Sequence, residues 1–273
     1  MSGAQAALDA LGQIPDGEID IATAALQLAR VDLPAEDPTP IAAHLSDIAR
    51  AVAAGLTEAD TPDRQAAALA MVLTGEFGYR GDAKTYDSLD NANLIRVVQR
   101  RRGLPVALGI LWIHAARTAG WEAYGVNFPG HFLIGLGTGR GRVMVDVFAG
   151  GAVLATPALR TLLSNFEGPD ARLRPEILAP MNDRDVLLRL QNNIKLRRLR
   201  SGDVTGARCC NTDMLRFAPA AAPLWRDEAL LADRLDEPSA ALAAWERFLT
   251  LVPTGAEALA ARDAIRQLRM RFN

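Results

Sequence analysis

Apolar residues recur at three- and four-residue intervals through the first third of the chain. Ile21, Ala25, Leu28 and Ala29 share one helical face, and Ile41, Leu45, Ile48 and Val52 form a second stripe. The segment Leu33-Pro34-Ala35-Glu36-Asp37-Pro38 separates them, because proline cannot continue a helix. A further helix is expected from about Pro62, a good first-turn residue, to Phe77, with Gly78 as its stop.

The pattern changes between about Tyr79 and Gly151. Leu104 to Ala119 is apolar almost all round, with Pro105 tolerated in the first turn, which predicts a buried central helix. Three short β-branched and aromatic runs follow: Trp121 to Val126, His131 to Leu136, and Arg142 to Phe148. Gly137-Thr138-Gly139-Arg140-Gly141 links the last two as a hairpin; no helix start follows it, so it is no phosphate loop. This region reads as one core helix against a small antiparallel sheet.

From about Met181 the chain is helical again and repeats. Pro219 and Pro253 are 34 positions apart, as are Leu215 and Leu249, Ala207 and Ala241, Leu196 and Leu230, and Leu190 and Leu224. That period is the tetratricopeptide spacing, and Gly202-Asp203 and Asp236-Glu237-Pro238 fall where turns between helices belong. Roughly two units and a capping helix, Ala256 to Met270, are expected. Lys195 to Arg200 alternates basic residues with leucines and is expected to be amphipathic helix. The division is therefore into residues 1–180 and 181–273.

Composition narrows the function classes. Thirty basic against 32 acidic side chains gives a formal charge of -2, without the concentrated positive charge that nucleic-acid binding needs. The two cysteines, Cys209 and Cys210, are adjacent, a poor disulfide and no metal site. No apolar run reaches membrane-spanning length, and no basic-then-apolar signal layout opens the chain. A cytoplasmic protein with no cofactor, metal, nucleic-acid or membrane partner is the expectation.

Of three histidines, His44 is expected on a solvated face and His114 within the core. His131 follows the turn Asn127-Phe128-Pro129-Gly130 and opens a strand, and Asp146 lies in the next one. A hairpin centred near Thr138 pairs the two. A carboxylate beside an imidazole fixes its tautomer and supports its charged form, either as half of a catalytic triad or as a purely structural pair. Arg100-Arg101-Arg102, with Arg96 one turn earlier, is the strongest basic cluster. It either lines the groove of His131 as an anion-binding fork or pairs Arg101 or Arg102 with Asp87 or Asp90.

Several of these segments together resemble the bacterial SirB-type family: Arg101-Arg102-Gly103-Leu104-Pro105, Asn127 to Phe132, and Asp146-Val147-Phe148 with Gly150-Gly151. Phe77-Gly78-Tyr79, Tyr86-Asp87, Asn91, Leu94 and Leu190 to Lys195 add to it, over about Ile19 to Leu268. The resemblance implies an α+β fold: a helical N-terminal region, a transglutaminase-like (papain-like) core, and an all-α tetratricopeptide-like C-terminal region. In transglutaminase-type enzymes a cysteine opens the central helix and attacks an acyl group, activated by a histidine and an aspartate on successive strands. His131 and Asp146 match those two. The nucleophile position falls near Pro105, where no side chain can attack. Cys209 and Cys210 lie on the packing face of a repeat helix, as small hydrophobes.

The expected function is thus non-catalytic: a protein-interaction or regulatory protein that binds a protein or peptide through its repeat helices. The alternative is a hydrolase of amide or ester bonds using His131 and Asp146 with water or another nucleophile. Arg101, Arg102, Pro105 and Asn127 are candidates for the groove.

Overall fold

The computed structural model describes residues 3–54 and 59–271. The chain divides into two compact units. One holds the chain up to Ile14 and from Gln191 onward, and the other runs from Pro15 to Leu190. The first helix therefore belongs with the C-terminal helices, whereas the sequence reading drew one boundary at 180/181.

The unit from Pro15 to Leu190 opens with helices α2 (Ile21–Asp32) and α3 (Thr39–Ala54), whose apolar stripes are buried as the periodicity requires. Asp20 caps α2 by accepting the N–H groups of Ala22 and Thr23. Helix α4 (Pro62–Ala70) continues as a π-helical turn, Met71–Glu76, which accommodates an extra residue before Gly78 breaks the helix at φ 72°. Helix α5 (Leu94–Arg100) is short, and two-residue strands β1 (Arg80–Gly81) and β2 (Arg102–Gly103) pair in parallel beside it.

Helix α6 (Pro105–Thr118) is the centre of this unit, and every residue from Pro105 to Ile113 is buried. It lies against a five-stranded antiparallel sheet of β3 (Ala123–Val126), β4 (Leu133–Leu136), β5 (Val143–Asp146), β6 (Ala152–Leu154) and β7 (Pro180–Met181), in the order β6-β5-β4-β3-β7. The three expected strands are present but shorter than their apolar runs. His131 stands two residues before β4, in a turn where its N–H donates to the Phe128 carbonyl at 2.9 Å. Ile134 pairs with Val145 and Leu136 with Val143, so each residue's partner lies two positions further along β5 than the 131/146 pairing expected, and the hairpin is centred one residue later. A 3-10 turn at Gly139–Gly141 takes up the difference. Helix α7 (Thr156–Glu167) follows β6.

Phe132 fixes how helix and sheet meet. Its buried ring fits over Gly109 of α6 and Gly125 of β3; a methyl on Gly125 would lie 2.9 Å from the ring and 2.7 Å from Val186. Arg117 ties the end of α6 to its surroundings, donating through Nε to the Ala123 carbonyl at 3.0 Å and forking onto the Asp183 carboxylate.

The other unit is all helical: α1 (Gly3–Leu11), then α8 (Asp183–Arg200) from Gln191 onward, α9 (Val204–Phe217), α10 (Ala222–Arg234), α11 (Pro238–Leu251) and α12 (Ala256–Met270). Helix α11 begins and ends 34 residues after α9, and α12 begins 34 after α10. Equivalent positions share burial: Ala207 and Ala241 are fully buried, whereas Leu196 and Leu230 are half exposed, at 49% and 53%.

The stretch Lys195 to Arg200 corrects its expected amphipathic pattern. Lys195 and Arg197 are buried while Leu196 is exposed. The Lys195 ammonium is satisfied by Asn211 Oδ1 at 3.1 Å and Asp227 Oδ2 at 2.6 Å, which lets a cation replace a leucine inside. Cys210 is buried against Gln191, but Cys209 is exposed rather than part of the packing face.

Candidate functional site

The turn after β5 shapes the site. Oδ1 of Asp146 accepts the backbone N–H groups of Phe148 at 3.0 Å and Ala149 at 3.1 Å. Gly151 N–H returns to the Asp146 carbonyl at 2.9 Å, and Gly150 and Gly151 take φ of 76° and 93°, which glycine supplies without strain. Gly151 also packs against the Trp112 ring of α6, leaving no space for a side chain.

With Oδ1 held by the backbone, Oδ2 faces His131 Nε2 at 3.0 Å. The geometry at Nε2 is not that of a straight hydrogen bond, so the two groups stand in close polar contact. The Nε2 atom is itself buried; the side chain as a whole keeps 21% of its surface exposed, against 12% for Asp146. Burial acts most strongly on the Asp146 carboxyl and pushes its pKa up. The His131 contact and the two backbone N–H groups together outweigh burial, and the net shift is downward. Asp146 is thus a fixed carboxylate at neutral pH.

The surroundings are aromatic and basic. Phe148 meets Tyr86 edge to face, with ring centres 5.9 Å apart, and covers Gly81. The exposed Phe166 closes over Gly130, the residue before His131. Arg189 donates to the His131 carbonyl at 2.6 Å and lies 5.5 Å from the Phe132 ring centre, so it anchors the backbone that carries the imidazole. No sequence signal marked Arg189, because it sits on α8, 58 residues away.

The remaining candidates are placed differently. Pro105 is buried at the first position of α6, after Leu104 as N-cap, and presents no nucleophile. Asn127 is exposed at the end of β3, and Arg102 is exposed in β2. Arg101 turns to His44 and Tyr79, with Nη1 donating to the Tyr79 hydroxyl at 2.5 Å. His44 is consequently half-buried, not solvated, and contacts the Tyr79 hydroxyl at 2.9 Å. The pairing expected of Arg101 or Arg102 with Asp87 or Asp90 goes instead to Arg100, which bonds Asp82 at 3.0 Å and approaches Asp90 at 3.9 Å; Arg96 pairs with Glu36. His114 is half-buried near the end of α6. Among the described residues no three His, Cys, Asp or Glu side chains converge as metal ligands do, and no helix is long and apolar enough to cross a membrane.

Comparison with known proteins fits this geometry. Residues 39–192 match the family model described as the transglutaminase-like superfamily. A UPF0162 protein of Pseudomonas aeruginosa is 30% identical over 251 residues, covering 92% of this chain and 90% of that one. A UPF0162 protein of Xylella fastidiosa is 29% identical over 247 residues, covering 89% and 88%. F-box only protein 21 of Mus musculus is 31% identical over a shorter stretch of 81 residues, 30% of this chain and 13% of that protein.

Proposed function

We propose that this chain, which belongs to the transglutaminase-like superfamily, uses the fold without its acyl-transfer chemistry and acts as a protein-interaction or regulatory protein. The observation that carries this reading is Pro105. It opens the buried helix near the place where the transglutaminase resemblance puts a nucleophilic cysteine, it is buried, and its ring has no atom that can attack a carbonyl. Cys209 and Cys210 belong to the helical unit, where Cys210 is buried against Gln191.

The helical unit supplies the surface on which a protein or peptide would dock. Its helices recur at 34 residues, a tetratricopeptide-like spacing, and stacked helical repeats present extended faces to peptides. Leu196 and Leu230 occupy equivalent positions and leave apolar side chains in solvent. The proposed compartment is cytoplasmic, with no cofactor.

A second reading rests on the survival of the pair. His131 and Asp146 stand 3.0 Å apart, and the carboxylate is ionised and doubly anchored, as an orienting group for a general base would be. In that case water or a substrate hydroxyl is the nucleophile, and an amide or ester bond is hydrolysed.

Two measurements separate them. Wild type, His131→Ala and Asp146→Asn are assayed on a panel of p-nitrophenyl esters and aminocoumarin amides, and for amine incorporation into casein. Equal background rates in all three support the non-catalytic reading; wild-type turnover that both variants lose overturns it in favour of the hydrolase. Affinity capture from the native host, with His131→Ala and Leu230→Glu beside wild type, then tests the docking surface. A partner retained by His131→Ala and lost by Leu230→Glu supports the repeat helices as the interface, and retention by Leu230→Glu argues against it.

A further inference from the structure

Arg101 follows the last turn of α5 with φ 57° and ψ 28°, a left-handed conformation that glycine normally fills at a helix end. Among the described residues only Arg101 and Asp236 adopt positive φ without being glycine. Its carbonyl accepts the Arg80 N–H at 3.0 Å, which fixes the backbone between the two short strands. A strained backbone carrying a large side chain points to a use for that side chain.

The guanidinium is half-buried, and its hydrogen-bond partners are the neutral side chains of Tyr79 and His44. Nη1 donates to the Tyr79 hydroxyl at 2.5 Å and touches His44 Nε2, Nη2 lies 3.4 Å from His44 Nδ1, and the Tyr79 ring centre is 5.0 Å away. Burial pushes the Tyr79 phenol up to about 12, so it remains protonated. Burial first, and the Arg101 charge second, hold His44 below its ordinary pKa, against an opposing pull from Asp47 one turn along α3. Phe77 closes the far side of the His44 ring, edge to face at 5.1 Å.

The carboxylates nearby are already engaged. Asp82 and Asp90 take Arg100, Glu36 takes Arg96, and Asp47 takes Arg50. Arg80 and Arg102, which face each other across β1 and β2, have no carboxylate partner among the described residues. A half-buried cation in such a setting is short of counter-charge, and the planar guanidinium fork matches carboxylate and phosphate oxygens.

We propose that Arg101, held by Tyr79 and His44, forms a binding site for a small oxyanion, a carboxylate or a phosphate. This site is separate from the His131–Asp146 pair and does not depend on the reading given above for that pair. Tyr79 and His44 orient the fork, and the remaining N–H groups of Arg101 contact the anion.

The chain has three histidines, so imidazole NMR reports on the site directly. Full-length protein is titrated with inorganic phosphate and, in a separate arm, with citrate, at ionic strength held constant with chloride. The expected result is a saturable shift of the His44 signal with an upward move of its titration midpoint, since a bound anion offsets the Arg101 charge. The His131 and His114 signals stay in place. Response to phosphate alone or to citrate alone identifies which oxyanion is preferred, and either response supports the site. Arg101→Asn, a residue that tolerates the left-handed backbone, should weaken binding at least about tenfold. Arg102→Gln should stay within about threefold, being an exposed charge subject to salt screening. Tyr79→Phe serves as a second variant and should weaken binding while leaving His44 as reporter. No His44 response to either anion beyond the chloride control would overturn the proposal. So would wild-type affinity in Arg101→Asn, or an equal loss in Arg102→Gln, which would mark a diffuse charge effect.

Discussion

Gly125 is the position at which packing and strand preference can be set against each other. It lies in β3 with φ outside the positive region, so alanine is allowed there by the backbone. On strand preference alone, replacing glycine by alanine stabilises by about 0.5–1 kcal/mol. The added methyl, however, would stand 2.7 Å from Val186 Cγ2, 2.9 Å from Phe132 Cζ and 3.1 Å from Phe132 Cε2. Carbon atoms rest at about 3.5–4.0 Å, so Val186 must retreat by about 0.8 Å and Phe132 by about 0.6 Å. Both side chains are essentially fully buried, and Phe132 is closed in by Gly109 on one side and Arg189 on another. Overpacking of this kind costs about 1–3 kcal/mol, which exceeds the strand gain. We expect Gly125→Ala to lower stability by about 1–2 kcal/mol, read as a fall in the urea midpoint at unchanged slope. Because Phe132 adjoins His131, the His131 imidazole signal should shift as well. Gly141→Ala, whose methyl would meet nothing within 4 Å, is the control and should be neutral or mildly stabilising. A gain of about 0.5–1 kcal/mol at Gly125, with His131 unmoved, would refute the packing argument.

Four further outcomes follow from the same structure. Asp82 is held at about 2 rather than its ordinary 3.8, chiefly by the Thr85 hydroxyl and N–H. A lowered carboxyl stabilises the fold above pH 3.8 and loses that contribution as pH falls toward 2, so Asp82→Asn should flatten the acid limb of stability measured by circular dichroism; an unchanged limb would contradict the assignment. His131→Ala should cost about 1–3 kcal/mol by stranding a buried carboxylate, and an unaltered melting curve would show that the pair does not support the fold. Lys195→Met should cost about 1–3 kcal/mol, with part of it recovered in Lys195→Met/Asp227→Leu; no recovery would mean that the Lys195–Asp227 contact is not what the single variant loses. Leu215→Asp places a charge among packed helices and should abolish much of the helicity from α9 onward, so wild-type helicity and melting would sink the repeat assignment.

The parts of the fold legible in the sequence are those written in periodicity. The stripes of α2 and α3, the all-round apolar α6 and the 34-residue spacing each follow from which positions must be dry. The His131–Asp146 contact was legible although the register behind it was not: a shift of two residues preserves which face a side chain points to, whereas a shift of one would have separated the pair. What stayed hidden depends on partners distant in sequence. Lys195 reads as a surface residue until Asn211 and Asp227 are seen to surround its ammonium. His44 reads as solvated until Arg101 and Tyr79, 57 and 35 residues away, close on it. Arg189 reaches His131 across a similar interval.

The placement of α1 bears on the order in which the molecule can be made. This helix is synthesised well before α9, yet its neighbours are there: Arg216 meets Asp9 at 3.0 Å, and the backbone of Arg216 packs against Gly12. Nearly the whole intervening chain must be synthesised before that partner exists, and closing so long a loop is entropically unfavourable and slow. The nascent chain therefore carries an apolar helix, with Leu8 and Leu11 still to be covered, throughout the folding of the transglutaminase-like unit. Completion of the helical unit must wait for α9, and a protein truncated before α9 would display α1 as an unsheltered hydrophobic surface.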